Sequence, residues 1–70
     1  MKEVIFEVTQ EEDGGYVAAV FGHSITTQAN TLEELRVNVR NAVDLYFKGQ
    51  TEAPRIIRLH FIRDEILVAK

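Results

Sequence analysis

Residues 31–49, "TLEELRVNVRNAVDLYFKG", constrain this chain more than any other stretch. Leu32, Leu35, Val39, Ala42, Val43, Tyr46 and Phe47 recur at spacings of three and four, which sets them on one stripe of a helix. Thr31 at the N-cap and Glu34 three residues later form a capping-box pattern, in which each side chain satisfies a backbone N–H of the first turn. Glu33 and Glu34 place negative charge where the helix dipole favours it. Lys48 falls in the expected last turn, and Gly49 is expected to take the left-handed position that ends the helix. A lone helix with one apolar stripe must bury that stripe against another layer, and everything around it reads as strand.

Residues 3–9 alternate strictly: Val4, Phe6 and Val8 point one way, and Glu3, Ile5, Glu7 and Thr9 the other. Period-two alternation of β-branched and aromatic residues marks a strand with one buried face. Residues 15–21 form a second, apolar run, and residues 24–28, rich in β-branched side chains, a third. After the helix, Pro54 bars its continuation. Residues 55–62 then alternate again, with Ile57, Leu59 and Phe61 opposite Ile56, Arg58, His60 and Ile62. "ILVA" near the end is a candidate fifth short strand. The expected fold is therefore α+β, β-β-β-α-β(-β), as one unit over residues 1–70. A three-stranded meander followed by a helical crossover makes the fourth strand parallel to the first and gives sheet order 3-2-1-4. The helix covers one face. The other presents Ile5, Ile56, Ile62, Arg58 and His60, a half-apolar surface that invites a partner.

A chain of 70 residues buries only about 60% of the surface it exposes when unfolded, so small domains commonly rely on a disulfide, a metal or another subunit. Cysteine is absent, which removes disulfides and thiolate sites and leaves a homodimer or higher homo-oligomer as the expected support. The N-terminal "MKEVIFEV" has no signal-peptide pattern, and no apolar run approaches the roughly 20 residues of a membrane span. A cytoplasmic location is expected. The net charge of −3 argues against binding nucleic acid through counterion release, although Arg55, Arg58, His60 and Arg63 cluster in the last third.

"EEDGGYVAAV" (11–20) joins three acids to a double glycine. Asp13-Gly14 or Gly14-Gly15 between two strands is the pattern of a type I′ hairpin turn. A calcium loop would need alternating oxygen ligands and a distal Glu. A phosphate cradle would need a helix N-terminus and no neighbouring carboxylates. The turn reading prevails. Neither His23 nor His60 has a second histidine at ligand spacing, so no metal or other cofactor is expected.

The order "DGGYVA", Thr27-Gln28, Thr31-Leu32-Glu33-Glu34-Leu35, Asn38 and Ala42, with "PRIIRL" beyond the helix, resembles the HicB-like antitoxin family along nearly the whole chain. The resemblance implies a partial RNase H-like fold and a function of binding and neutralising a small HicA-type mRNA-cleaving toxin. Ala29 stands where the family often has Gly, and His23 where it often has Cys or Tyr. Full-length members usually add a DNA-binding segment. This chain stops shortly after the matching strand, so direct DNA binding is not expected. The expected partner contact uses Ile56, Arg58, His60 and Ile62 with Ile66 and Leu67 of the tail, while Asp13, Gly14, Gly15, Thr31 and Glu34 serve turn and cap. Two other readings stand beside it. One is a stand-alone homo-oligomer using the same surface. The other is a metal-dependent nuclease with Glu7 and Glu3 as carboxylates, for which the other strands supply no completing acid.

Overall fold

The computed structural model describes residues 3–69. Its elements are β1 (Glu3–Gln10), β2 (Tyr16–Ala19), β3 (Thr26–Ala29), α1 (Leu32–Tyr46) and β4 (Ile56–Ile62). The fold is α+β, with one helix and a four-stranded mixed sheet in the order β3-β2-β1-β4. Strand β1 pairs antiparallel with β2 and parallel with β4, and β2 pairs antiparallel with β3.

The alternation in β1 explains the core. Val4, Phe6 and Val8 are buried, and they meet Ala18 of β2 and Leu35, Val39 and Val43 of the helix stripe. Val20, Ile25 and Phe47 complete the cluster. Leu32 and Ala42 pack at its margin. Tyr46, read from its spacing as part of the stripe, is instead 42% exposed. It lies in the last helical turn, where the chain turns away and Phe47 takes the inward position.

The helix begins as its sequence dictates, but only half of the capping box forms. The Glu34 backbone N–H donates to Thr31 Oγ1 at 3.1 Å. The Glu34 carboxylate does not reach back to the Thr31 N–H; it accepts the Thr31 hydroxyl at 3.3 Å. The C-terminus falls earlier than the glycine suggests. Phe47 is the C-cap, and the last turn holds no basic residue, so Lys48 lies outside the helix. Gly49 does take a left-handed φ of +80°, but it serves the following turn, in which the Gln50 N–H donates to the Phe47 carbonyl.

The acidic hairpin is also longer than a two-residue turn. Gln10 still pairs with Tyr16, and the loop between them is closed by Gly14 N–H to Glu11 O at 2.9 Å and Glu11 N–H to Gly15 O at 2.7 Å. Only Gly14 takes positive φ, +95°, and Asp13 does not. Asp13 Oδ1 accepts the Gly15 N–H at 3.0 Å, a short side-chain-to-backbone turn of the kind Asp favours. The acids are thus spent on, or exposed around, a turn.

Among the described residues no fifth strand forms. Residues 63–69 carry no regular secondary structure, and Ile66, Leu67 and Val68 are almost fully exposed. The tail has the residue types of a strand but pairs with none of the described strands.

Leu35 is fully buried at the centre of the helix stripe, so Leu35→Ala is expected to cost about 2–5 kcal/mol. Thr31→Ala, which removes the cap, costs about 1 kcal/mol. Urea unfolding monitored by circular dichroism measures both, and the ranking Leu35 above Thr31 is the check.

Candidate protein-binding surface

The strand registers define the sheet face that the helix does not cover. Residues paired across strands share a face, so Glu3, Ile5, Glu7 and Thr9 lie beside Ile56, Arg58, His60 and Ile62 respectively. Toward the other side, Glu7 lies beside Ala19 and Thr9 beside Val17. Every residue of the expected β4 contact set, Ile56, Arg58, His60 and Ile62, is therefore on this open face and exposed. The expected tail residues Ile66 and Leu67 lie beyond the end of β4 and pack on nothing in the core.

The face is amphipathic in rows. Arg58 Nε and Nη2 both donate to Glu3 Oε2, at 2.9 and 2.8 Å, and this pair stands diagonally beside Ile5. Glu7 and His60 form the next polar pair along the strands. Ile56 and Ile62 occupy the two ends of β4. A shallow hollow of about 530 Å³ opens on this face among Ile5, Glu7, Val20, Phe21, Arg58 and His60. Its existence follows from a length mismatch. Strand β1 has eight residues and β2 four, and β2 ends opposite Glu7. The first half of β1 consequently has β4 on one side and no strand on the other.

Phe21 is the residue that sequence reasoning misplaced. Its position in an apolar run made it strand, but β2 stops at Ala19, and Phe21 sits in the turn to β3, 90% exposed. Gly22, with φ +83°, supplied the available signal: a left-handed residue there ends the strand sooner. Val20 remains tied to the hairpin by its N–H to the Ile25 carbonyl at 3.0 Å, which leaves Phe21 projecting at the rim of the hollow.

Two other polar features have structural roles. His23 Nδ1 lies 3.3 Å from the Tyr46 hydroxyl, with the rings edge to face, joining the β2–β3 turn to the end of the helix. Asn38 Nδ2 donates to the Gln28 carbonyl at 3.0 Å, joining the middle of the helix to β3. Asp44 is exposed. Among the described residues, no three His, Asp or Glu side chains come together as a metal-binding group, and no helix is long and apolar enough to cross a membrane. The arrangement suits contact with another macromolecule: apolar side chains at the centre and ends, with hydrogen-bonding and charged groups between them.

The structure thus defines a small sheet-and-helix protein with one uncovered, half-apolar sheet face. No family model and no solved structure matches the chain. Two curated proteins do. A UPF0150 protein of Thermotoga maritima is 36% identical over 63 residues, covering 90% of this chain and 87% of the relative. A UPF0150 protein of Archaeoglobus fulgidus is 49% identical over 53 residues, covering 76% of this chain and 77% of the relative. The chain belongs to the UPF0150 family.

Exposed ion pairs contribute little, because solvent screens them and two long side chains lose freedom. Glu3→Gln is accordingly expected to lower stability by less than about 1 kcal/mol. Phe21→Ser is expected to leave the thermal midpoint unchanged, since Phe21 packs on almost nothing within the chain. A differential scanning calorimetry comparison tests both, and a large loss on Phe21→Ser would mean that it packs within the fold.

Proposed function

We propose that this protein is a non-catalytic, HicB-like antitoxin core that binds a small, basic, HicA-type mRNA-cleaving toxin and neutralises it by contact. The observation that carries the reading is the uncovered sheet face, where Ile5, Phe21, Ile56 and Ile62 are exposed together around Glu3, Glu7, Arg58 and His60. Membership of the UPF0150 family and the HicB-like residue pattern along the chain support it. So does the net charge of −3, because opposite net charges accelerate encounter with a basic partner.

In this reading Ile5 and Phe21 supply the desolvated centre of the contact, and Ile56 and Ile62 flank it at the two ends of β4. The Glu3–Arg58 and Glu7–His60 pairs fix orientation, and the exposed Ile66 and Leu67 extend the apolar area beyond β4. The chain's part is to occupy the toxin's RNA-binding surface.

The test is RNA cleavage in vitro by the HicA-type toxin encoded in the same genome, titrated with this protein. Cleavage is expected to fall to background near one equivalent, and Ile5→Asp combined with Phe21→Asp to abolish the inhibition while leaving the fold intact by circular dichroism. Undiminished cleavage at excess wild-type protein overturns the proposal.

A further inference from the structure

The two edges of the sheet are unlike. Strand β3 is four residues long and has the helix against it, tied by Asn38 to the Gln28 carbonyl. Strand β4 is seven residues long and pairs on one side only, with β1. Of the devices that protect a free edge it carries only the basic side chains Arg58 and His60, and Arg58 is tied back to Glu3 of β1; it holds no Lys, Pro or bulge and is not short. Its principal contact is β1, whereas the helix rests mainly on β3 and β2. The helix-side residues of β4 are correspondingly undercovered: Ile57 and Leu59 are half-buried and Phe61 is 49% exposed. On the open face Ile56 is 55% and Ile62 41% exposed.

The sequence of this edge is a chemical palindrome. "IIRLHFI" reads apolar, apolar, basic, apolar, basic-aromatic, apolar, apolar in both directions about Leu59. We infer that the free edge of β4 pairs antiparallel with β4 of a second copy about a two-fold axis through Leu59, making one continuous eight-stranded sheet. A two-fold interface demands a self-complementary surface, in which residue i meets j and j meets i. Here Ile56 faces the partner's Ile62, Ile57 the partner's Phe61, and Leu59 the partner's Leu59. Arg58 faces the partner's His60.

The neighbouring strand fits the same register. Because Glu7 lies beside His60 and Ile5 beside Arg58, with Glu3 bonded diagonally to Arg58, the central row runs Glu7, His60, then the partner's Arg58 and the partner's Ile5, and the partner's Glu3 reaches that Arg58 from the next row. Acids thus flank the bases on both sides. On the helix side Val4 neighbours Ile57 and Phe6 neighbours Leu59, so the apolar core of each copy continues across the axis. Shifting the register by two residues, the smallest shift of both strands' pairing that keeps faces matched, ruins it. One direction sets Arg58 against the partner's Arg58 and Ile56 against His60; the other sets Ile62 against Arg58 and leaves His60 against His60. The Leu59-centred register alone pairs all seven residues like with like.

This inference does not rest on toxin binding. Strand pairing uses the edge and leaves the open face free, so two copies of that face become continuous.

Sedimentation equilibrium of the purified chain tests it, with a charge-swap series at exposed positions. The wild type is expected at twice the 8.0 kDa chain mass. Ile56→Lys and Ile62→Glu, each of which sets two charges against apolar partners, are expected to raise the dissociation constant at least about tenfold. The double variant pairs each new Lys with a new Glu across the axis and is expected to recover the dimer. Hydrogen exchange gives a second readout, with amides of 56–62 gaining protection as concentration rises. A monomeric wild type at millimolar concentration, single variants that dimerise like the wild type, or a double variant that fails to recover would each overturn the inference.

Discussion

The structure depends on how far one helix can reach across four strands. An α-helix with its side chains is about 10–12 Å wide, whereas four strands spaced about 4.8 Å apart make a wider layer. The helix therefore has to choose part of the sheet. Its stripe of Leu35, Val39 and Val43 sits where Phe6, Val8 and Ala18 are buried, and the Asn38 bond to Gln28 holds it toward β3. The consequence falls on β4, which is stabilised by its parallel ladder with β1 yet lies beyond the helix.

That asymmetry gives the molecule two distinct uncovered regions. The first is the broad open face, where Arg58 and Glu3 are joined and Phe21 rims a hollow left by the shortness of β2. The second is the β4 edge, with its unpaired backbone groups and half-covered Ile57, Leu59 and Phe61. Face and edge are geometrically independent, since a ladder forms in the sheet plane and a docked partner sits above it. A protein of this size can thus offer one surface to a copy of itself and another to a different partner. Self-pairing would also supply the extra burial that a cysteine-free chain of 70 residues cannot obtain from a disulfide.

The acidic stretch at the β1–β2 hairpin shows how a conspicuous pattern can have a local cause. Glu11, Asp13 and Gly14 close the loop through backbone and side-chain hydrogen bonds, and Gly14 absorbs the left-handed conformation. Nothing beyond the turn requires the acids. The residues of most functional interest are scattered instead over β1, β4 and the turn after β2, and become a surface only by assembly of the sheet.

The sequence by itself determined the helix and its cap, the inward triad of β1, and the 3-2-1-4 order. These follow from short-range periodicity, from hydrogen bonds within one turn, and from the directions that short connections permit. It also showed which β4 side chains share a face, because alternation is a property of the strand alone. Only the tertiary structure decided that Tyr46 leaves the core for His23, that Phe21 is exposed at a hollow, and that the apolar tail forms no strand. The same holds for β4 lying beyond the helix. Each of those outcomes depends on where one element stops relative to another, and hence on which surfaces remain to be covered. Residue type records a preference for burial; whether a covering layer reaches that residue is set by the widths and lengths of the assembled elements.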